Sequence, residues 1–195
     1  MAGVMIRNTH TNWGAPARLL HWATAGVILF CLGLGIYMTQ WVTDALAQFP
    51  LIQTHKSWGF VAFVLAGLRI VWRLMNRAPD MPDHMPAHER LAAHLGHLAL
   101  YALMLIMPLS GWLMASASPL QDTFGIKNKV FDLFEMYDPF VPGDKALSEL
   151  FASVHFYAAW ALVAVLIGHI GAALYHHLYH KDDVLKRMSF GRFDN

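Results

Sequence analysis

The sequence predicts an all-α protein: an up-down bundle of four transmembrane helices in a single domain, residues 1–195, with both termini cytoplasmic. Two observations predict this fold. The chain is 56% hydrophobic and only 14% charged, whereas soluble domains carry about 25% charged residues. It also contains four apolar stretches long enough to cross a hydrocarbon core of about 30 Å.

The four stretches place the predicted helices. The first and third contain 25 and 31 consecutive uncharged residues, and the fourth has no Asp, Glu, Lys or Arg from Leu150 to His180. The second stretch is interrupted by Arg69 and Arg73. Backbone groups in lipid must be satisfied internally, so spans of this length are helical. We predict helices at about 17–41, 55–75, 91–115 and 150–179.

The distribution of Lys and Arg predicts the orientation. The N-terminal tail, the end of the second stretch with the loop after it, and the C-terminal tail together hold ten of these residues, and the opposite side holds four. The positive-inside rule therefore places both termini in the cytoplasm. We expect no cleaved signal peptide, because the first apolar stretch is longer than a signal-peptide core of about 7–15 residues.

Composition also limits the chemistry. A net charge of +1 gives no indication of nucleic-acid binding. The single cysteine, Cys31, cannot form an intrachain disulfide. Twelve histidines in 195 residues leave imidazole as the obvious donor for any cofactor metal.

Three histidines share one face of the fourth stretch. His155 and His169 are 14 residues apart, roughly 21 Å along a helix and within about 40° of the same direction. His176 follows seven residues later. An ionisable side chain within a membrane is a functional-site hypothesis by default. Hydrogen bonding between helices is one interpretation; axial ligation of two haems is the other, and it requires partners at matching depths.

Partners at matching depths exist on two other helices. His21 closely follows Arg18 and belongs to the cytoplasmic half with His169, whereas His55 opens the second stretch and belongs to the periplasmic half with His155. The predicted ligand pairs of the two haem irons are therefore His21/His169 and His55/His155. Two imidazoles close both axial positions, which favours electron transfer over oxygen binding.

Arg69 lies 14 residues after His55, the same offset that separates His169 from His155. It should therefore lie level with His169. A buried guanidinium needs an anion, and we predict that Arg69 pairs with a haem propionate at the inner, cytoplasmic haem. In the third helix, His94 and His97 share one face; we interpret them as structural or proton-handling residues.

Four motifs then point to a family. ARLLHW, THKSWGFVAFVLAGLRIVWRL, LAAHLGHLALYALMLIMPLSGWLM and HIGAALYHHLYHKDDVLKRM occur in this order along nearly the whole chain, which resembles the bacterial cytochrome b561 family. The resemblance implies a multi-pass protein of the bacterial inner membrane. It also implies two b-type haems held by histidines of the first, second and fourth helices, which match His21, His55, His155 and His169.

The resemblance further implies a superoxide:ubiquinone oxidoreductase, with superoxide oxidised on the periplasmic side. Superoxide is an anion, and Lys56, Lys127 and Lys129 would steer it to the outer haem. Ubiquinone would be reduced near the inner haem, with His176 supplying protons. Alternatively, His176, His177 and His180 form an interfacial cluster that favours lipid headgroups.

Two other function classes remain open. A cytochrome b relay or anchor subunit would receive electrons from a redox protein, such as an iron–sulfur protein, and would co-purify with it. A histidine-based metal transporter would lack haem, and the absence of Asp and Glu within the spans argues against it. The sequence does not choose the physiological donor, the quinone or the oligomeric state.

The long segment 116–150 carries two further predictions. The stretch KVFDLFEMY, residues 129–137, is expected to form a short amphipathic helix on the mouth of the bundle. Asp144 is expected to cap the N-terminus of the fourth helix.

Overall fold

A computed structural model describes residues 5–82 and 85–189 of the chain. Four long apolar helices can cross a membrane by length and composition: α1 (Ala15–Gln40), α2 (Ala45–Met75), α3 (Ala87–Ser116) and α5 (Lys145–Tyr175). The remaining elements are α4 (Leu120–Phe124), β1 (Lys129–Val130), β2 (Phe134–Glu135), a π-helical turn (His176–His180) and α6 (Val184–Met188). The predicted all-α, four-helix class is confirmed.

Capping residues explain where the helices begin. Pro16 stands in the first turn of α1, where its missing N–H leaves no helical bond unmade. Asp44 caps α2 by accepting a hydrogen bond from the Leu46 N–H at 3.1 Å. Asp144 caps α5 in the same way, accepting from the Leu147 N–H at 3.1 Å, as predicted.

The largest difference in helix boundaries is at α2, which begins at Ala45 rather than near residue 55. Apolarity placed the predicted start too late, because the cap at Asp44 starts the helix before the strongly apolar part. Pro50 is accommodated within the helix. The side-chain amide of Gln48 donates to the Met38 carbonyl at 2.7 Å and so ties the start of α2 to the end of α1.

The predicted helix at 129–137 is wrong. This segment forms a two-stranded antiparallel hairpin, β1–β2, in which Lys129 lies opposite Glu135. The Leu133 N–H donates to the Val130 carbonyl at 2.9 Å, which closes the turn. The hairpin docks on α2, where the Phe131 N–H donates to Ser57 Oγ at 2.9 Å. These backbone bonds replace the ones that a helix would make.

Close helix packing follows the order α1–α2, α2–α3 and α3–α5. Among the described residues, α5 is not one of the close neighbours of α1 or α2. It faces both across the histidine pairs described below. Small side chains mark the close contacts, as is usual in membrane bundles; the buried examples are Ser57, Ala62, Ala66, Ser110 and Ala158.

The start of α1 and the last described residues meet at one end of the bundle. Arg18 Nη1 donates to the Ser189 carbonyl at 2.8 Å, and Trp22 Nε1 donates to the Met188 carbonyl at 2.8 Å. The first and last described segments therefore lie at the same end of the bundle, while the cytoplasmic placement of both termini stays a prediction. Arg192, one of the ten basic residues counted for it, lies outside the described residues.

Candidate haem-binding sites

The structure brings together the two predicted histidine pairs. The rings of His21 on α1 and His169 on α5 lie with their centres 6.2 Å apart, near the end of the bundle that holds the termini. The rings of His55 on α2 and His155 on α5 also lie 6.2 Å apart, toward the opposite end. We refer to these as the inner pair and the outer pair.

The spacing of each pair fits a metal ion held between two imidazoles. An imidazole–metal bond is about 2 Å long, and the ring centre lies roughly 1 Å beyond the nitrogen, so two opposed ligands place their ring centres roughly 6 Å apart. Two histidines as axial ligands are a donor set that suits haem iron. The four histidines therefore fit two haem groups, one in each pair.

His155 has partners that orient its ring. Its Nδ1 lies 3.0 Å from the Met107 carbonyl oxygen and 3.1 Å from Ser110 Oγ, both on α3. The carbonyl accepts the proton of Nδ1, which leaves Nε2 as the nitrogen available to a metal. Metal-ligating histidines characteristically make such a bond with the other ring nitrogen.

Two glycines leave room for the rings of the outer pair. A Cβ added at Gly35 of α1 would lie 3.4 Å from Cε1 of His55. A Cβ added at Gly111 of α3 would lie 3.1 Å from Cε1 of His155, closer than almost all real contacts. The close approach of the ring to the α3 backbone thus depends on the absence of a side chain at position 111.

Arg69 reaches the inner pair from α2. Its Nη2 lies 3.2 Å from His21 Nδ1, its Nη1 lies 3.7 Å from Met104 Sδ, and its guanidinium carbon lies 5.6 Å from the centre of the Tyr101 ring. Within residues 5–82 and 85–189, no carboxylate forms an ion pair with it. A guanidinium in this position fits an anionic group carried by a cofactor, such as a propionate.

His97, interpreted from the sequence as a structural or proton-handling residue, is a close neighbour of the inner pair. Its ring centre lies 5.6 Å from that of His169, with the planes tilted by 66°. The two helices that carry them, α3 and α5, pack closely. His94 is exposed, like His97, and its Nδ1 lies 2.7 Å from the Arg90 carbonyl oxygen of its own helix. The only signal in the sequence for this position is the depth of His97 along α3, which can be compared with the depth of His169 along α5. The third helix has no second histidine deeper in.

The three predicted steering lysines lie at the opposite end, in different surroundings. Lys56 donates to Asn128 Oδ1 at 2.8 Å, and Lys127 pairs with Glu135 at 2.7 Å. The hydrogen bond and charge of Glu135 raise the pKa of Lys127, so this lysine stays charged. Lys127 and Lys129 line an open cleft of about 660 Å³ beside α2.

The wall of this cleft includes two residues that flank His55 of the outer pair in the sequence, Thr54 and Ser57. Asp132 and Glu135 also line it. Its two lysines are thus matched by two carboxylates, whereas the prediction of steering assumed a positive surface.

His176 lies in a cluster at the inner end of the bundle. Its Nδ1 is 2.6 Å from Asp182 Oδ2, and its Nε2 is 3.8 Å from Glu89 Oε2. The sequence singled out His176 but missed both carboxylates. Glu89 lies before the predicted start of the third helix at about residue 91. Asp182 follows the π-helical turn, His176–His180, which the sequence did not predict.

Comparison with known proteins identifies related sequences. A family model described as prokaryotic cytochrome b561 matches residues 12–191. Cytochrome b561 homolog 2 of Escherichia coli K12 is 33% identical over 185 residues, which cover 93% of each protein. Cytochrome b561 homolog 1 of the same organism is 28% identical over 172 residues, covering 87% of this chain and 92% of the homolog.

The chain belongs to the prokaryotic cytochrome b561 family. Membership makes it a multi-pass membrane protein that binds haem b and transfers electrons. In this b561 protein the inner and outer pairs are the histidines whose spacing suits haem iron. The resemblance predicted from the four sequence motifs is thereby confirmed.

Proposed function

We propose that the chain is a superoxide:ubiquinone oxidoreductase of the bacterial inner membrane, with two b haems between its periplasmic and cytoplasmic ends. Two superoxide anions would each give up one electron and leave as oxygen. One ubiquinone would gain the two electrons and two protons and leave as ubiquinol. The balance of charge and atoms closes: two superoxide, one quinone and two protons give two oxygen and one quinol.

The observation that supports the proposal best is that one helix, α5, contributes a histidine to each of two pairs. In both pairs the ring centres are 6.2 Å apart. Their α5 members, His155 and His169, are 14 residues apart, roughly 21 Å along the helix. When bound, the two haems would supply one-electron steps between the two ends of the bundle. Two histidines holding each haem iron would leave no ligand position free for oxygen.

Each end of the bundle contributes residues suited to one half-reaction. Thr54 and Ser57 place the wall of the outer cleft beside His55, and Lys129 of the hairpin offers a positive charge there. At the inner end, His176 provides an imidazole, the side chain that exchanges protons near neutral pH. Protonation of a reduced quinone requires such a group.

A second candidate function is favoured by a separate observation. Several large apolar side chains in and around the hairpin are exposed outside the membrane-spanning helices, among them Phe124, Leu133, Phe134 and Tyr137, with 54–79% of each exposed. A contiguous exposed apolar patch on a protein is a typical docking surface. A redox-protein donor seated there would make the chain the electron-relay subunit of a larger complex.

Stopped-flow mixing of the oxidised, purified protein with potassium superoxide distinguishes the two functions. The superoxide oxidase predicts rapid reduction of the haem absorption bands, followed by reoxidation when a short-chain ubiquinone is added. A relay subunit would be reduced no faster than free haem in detergent and would co-purify with a redox protein.

A variant then tests the quinone end. With His176→Leu, we expect superoxide still to reduce both haems and quinone to reoxidise them more slowly. His94→Gln, a change at an exposed histidine of the same end, is the matched control. Equal reoxidation by the two variants would remove His176 from the quinone reaction.

A further inference from the structure

Four ionisable side chains form a cluster where the π-helical turn meets the start of α3. Glu89, in the first turn of α3, lies between two histidines of the turn: Oε2 is 3.8 Å from His176 Nε2, and Oε1 is 3.9 Å from His180 Nε2. Asp182 completes the cluster at 2.6 Å from His176 Nδ1. It is held in place by its other oxygen, which accepts from the Val184 N–H at 3.0 Å.

The bond to Asp182 determines which nitrogen of His176 exchanges protons. A carboxylate oxygen accepts, so the short bond requires a proton on Nδ1 of His176. The proton that comes and goes is therefore the one on Nε2, the nitrogen that faces Glu89. A separation of 3.8 Å is longer than a hydrogen bond and is of the size that one bridging water or a small side-chain rotation closes.

The four side chains of the cluster differ in their exposure to water. The side chains of Glu89 and His180 are 24% and 26% exposed, whereas those of His176 and Asp182 are 10% and 7% exposed. The Glu89 side chain is partly exposed while its Oε2 is buried, so it can pass a proton from water to a site that water does not reach freely. The carboxylate of Asp182 stabilises the imidazolium that then forms.

We propose that Glu89 and His176 form a proton-loading site that takes up one proton when an electron reaches the inner pair. The proton moves from water through Glu89 to His176 Nε2, and it leaves again when the electron leaves. His176 follows His169 by seven residues, roughly 10 Å along α5. Across that distance of apolar protein, a negative charge arriving at the inner pair favours the protonated imidazole.

This inference rests on the proposed haem between His21 and His169, but it requires neither superoxide nor quinone. The coupling must be reciprocal: if the electron favours the proton, the proton must favour the electron. The midpoint potential of the inner haem should therefore fall as pH rises through the range in which imidazole loses its proton.

Other charged groups near the cluster must be distinguished from it. Arg90 on α3 is bonded to the Met85 carbonyl at 2.8 Å, and Asp183 pairs with Lys186 at 3.0 Å with both side chains more than half exposed. Tyr175, His177 and His180 belong to the same helical end. Of these, Asp183 offers a matched control for the carboxylates, and the exposed His94 of α3 offers one for the histidines.

The test is a spectroelectrochemical titration of both haems at several pH values between 5 and 8. We expect the potential of the inner haem to fall with rising pH in the wild type, and we expect Glu89→Gln and His176→Gln each to remove most of that slope. Asp183→Asn and His94→Gln should retain it. A wild-type slope that persists in both Glu89→Gln and His176→Gln would overturn the proposal, as would a wild-type potential that does not vary with pH.

A spectroscopic measurement checks the same claim independently. Redox-difference infrared spectra should show a carboxyl band that changes when the inner haem is reduced and that is absent in Glu89→Gln. A spectrum of that variant identical to the wild type would contradict the role of Glu89. The haem content distinguishes a failure of this inference from a failure of the proposed haem sites. A wild type with a single haem would refute the haem placement itself, whether or not its potential varies with pH.

Discussion

Arg69 Nη2 lies 3.2 Å from Nδ1 of His21, although the two residues are 48 positions apart in the chain. An arginine can only donate, so it provides positive charge beside the inner pair. With no carboxylate paired to it in the described part of the chain, that charge acts on whatever occupies the space between His21 and His169.

Arg69→Ala should lower the midpoint potential of the inner haem. Removing one unit charge about 7 Å away, at an effective dielectric constant of about 20, is worth roughly 2 kcal/mol, or on the order of 100 mV. Arg69→Lys keeps the charge and should recover part of the shift. Redox titration that finds both potentials unmoved in Arg69→Ala would reject the propionate role.

Gly111→Ala should disturb the outer haem alone. The added methyl group would lie 3.1 Å from Cε1 of His155, so the ring must shift. Overpacking of this kind costs about 1–3 kcal/mol. Gly96→Ala, on the same helix but with no atom within 4 Å of the added group, is the control. Haem content and the two absorption spectra decide: equal retention of the outer haem in both variants would show that close packing at Gly111 is unimportant.

The steering prediction is tested by reversing a charge in the outer cleft. Lys129→Glu should slow haem reduction by superoxide and should make the rate rise with added salt, because the residues lining the cleft then carry a net negative charge. Lys145→Glu changes a lysine outside the residues that line the cleft and should have a smaller effect. The rate is measured by stopped flow at two ionic strengths. Identical rates in the two variants would mean that the cleft does not guide the anion.

Asp80, in the loop after α2, contacts His10 at the inner end of the bundle, and we predict that this contact is sensitive to acid. The hydrogen bond from His10 at 2.8 Å, followed by the charges of His10 and Arg77, holds the pKa of Asp80 below its ordinary value. A lowered carboxyl pKa stabilises the folded contact above the ordinary value, and that stabilisation is lost as pH falls through the lowered one.

Asp80→Asn should therefore loosen residues 5–14 at pH 7. Wild-type protein should become equally loose only at a pH below the ordinary pKa of an aspartate, where Asp80 loses its charge. Hydrogen–deuterium exchange of the N-terminal segment measures this, with Asp183→Asn as the control. Exchange unchanged by Asp80→Asn at pH 7 would contradict the contact.

The sequence predicted the histidine pairs because helix geometry relates residues at long range. A fixed rise and rotation per residue places His155 and His169 on one face, and charge patterning assigns His21 and His55 to opposite ends. Their spatial pairing could thus be predicted before any coordinates. Their ligand role remains a prediction.

Features that depend on short segments could not be predicted in the same way. The hairpin at 129–137 is stabilised by Ser57 of α2, a partner 74 positions away from Phe131. The cluster at Glu89 depends on the π-helical turn, which the hydrophobic periodicity of the sequence does not predict. Such local outcomes are decided by tertiary contacts rather than by propensity.

The central claim, that four histidines hold two haems in two separate pairs, is tested most directly by counting haem per chain with the pyridine haemochrome assay. Wild-type protein should contain two, and His21→Ala and His169→Ala should each retain only the outer haem. His55→Ala and His155→Ala should each retain only the inner one. His97→Ala, whose ring lies 5.6 Å from that of His169, should retain both. Two haems per chain after replacement of any one of the four paired histidines, or one haem after His97→Ala, would contradict the assignment.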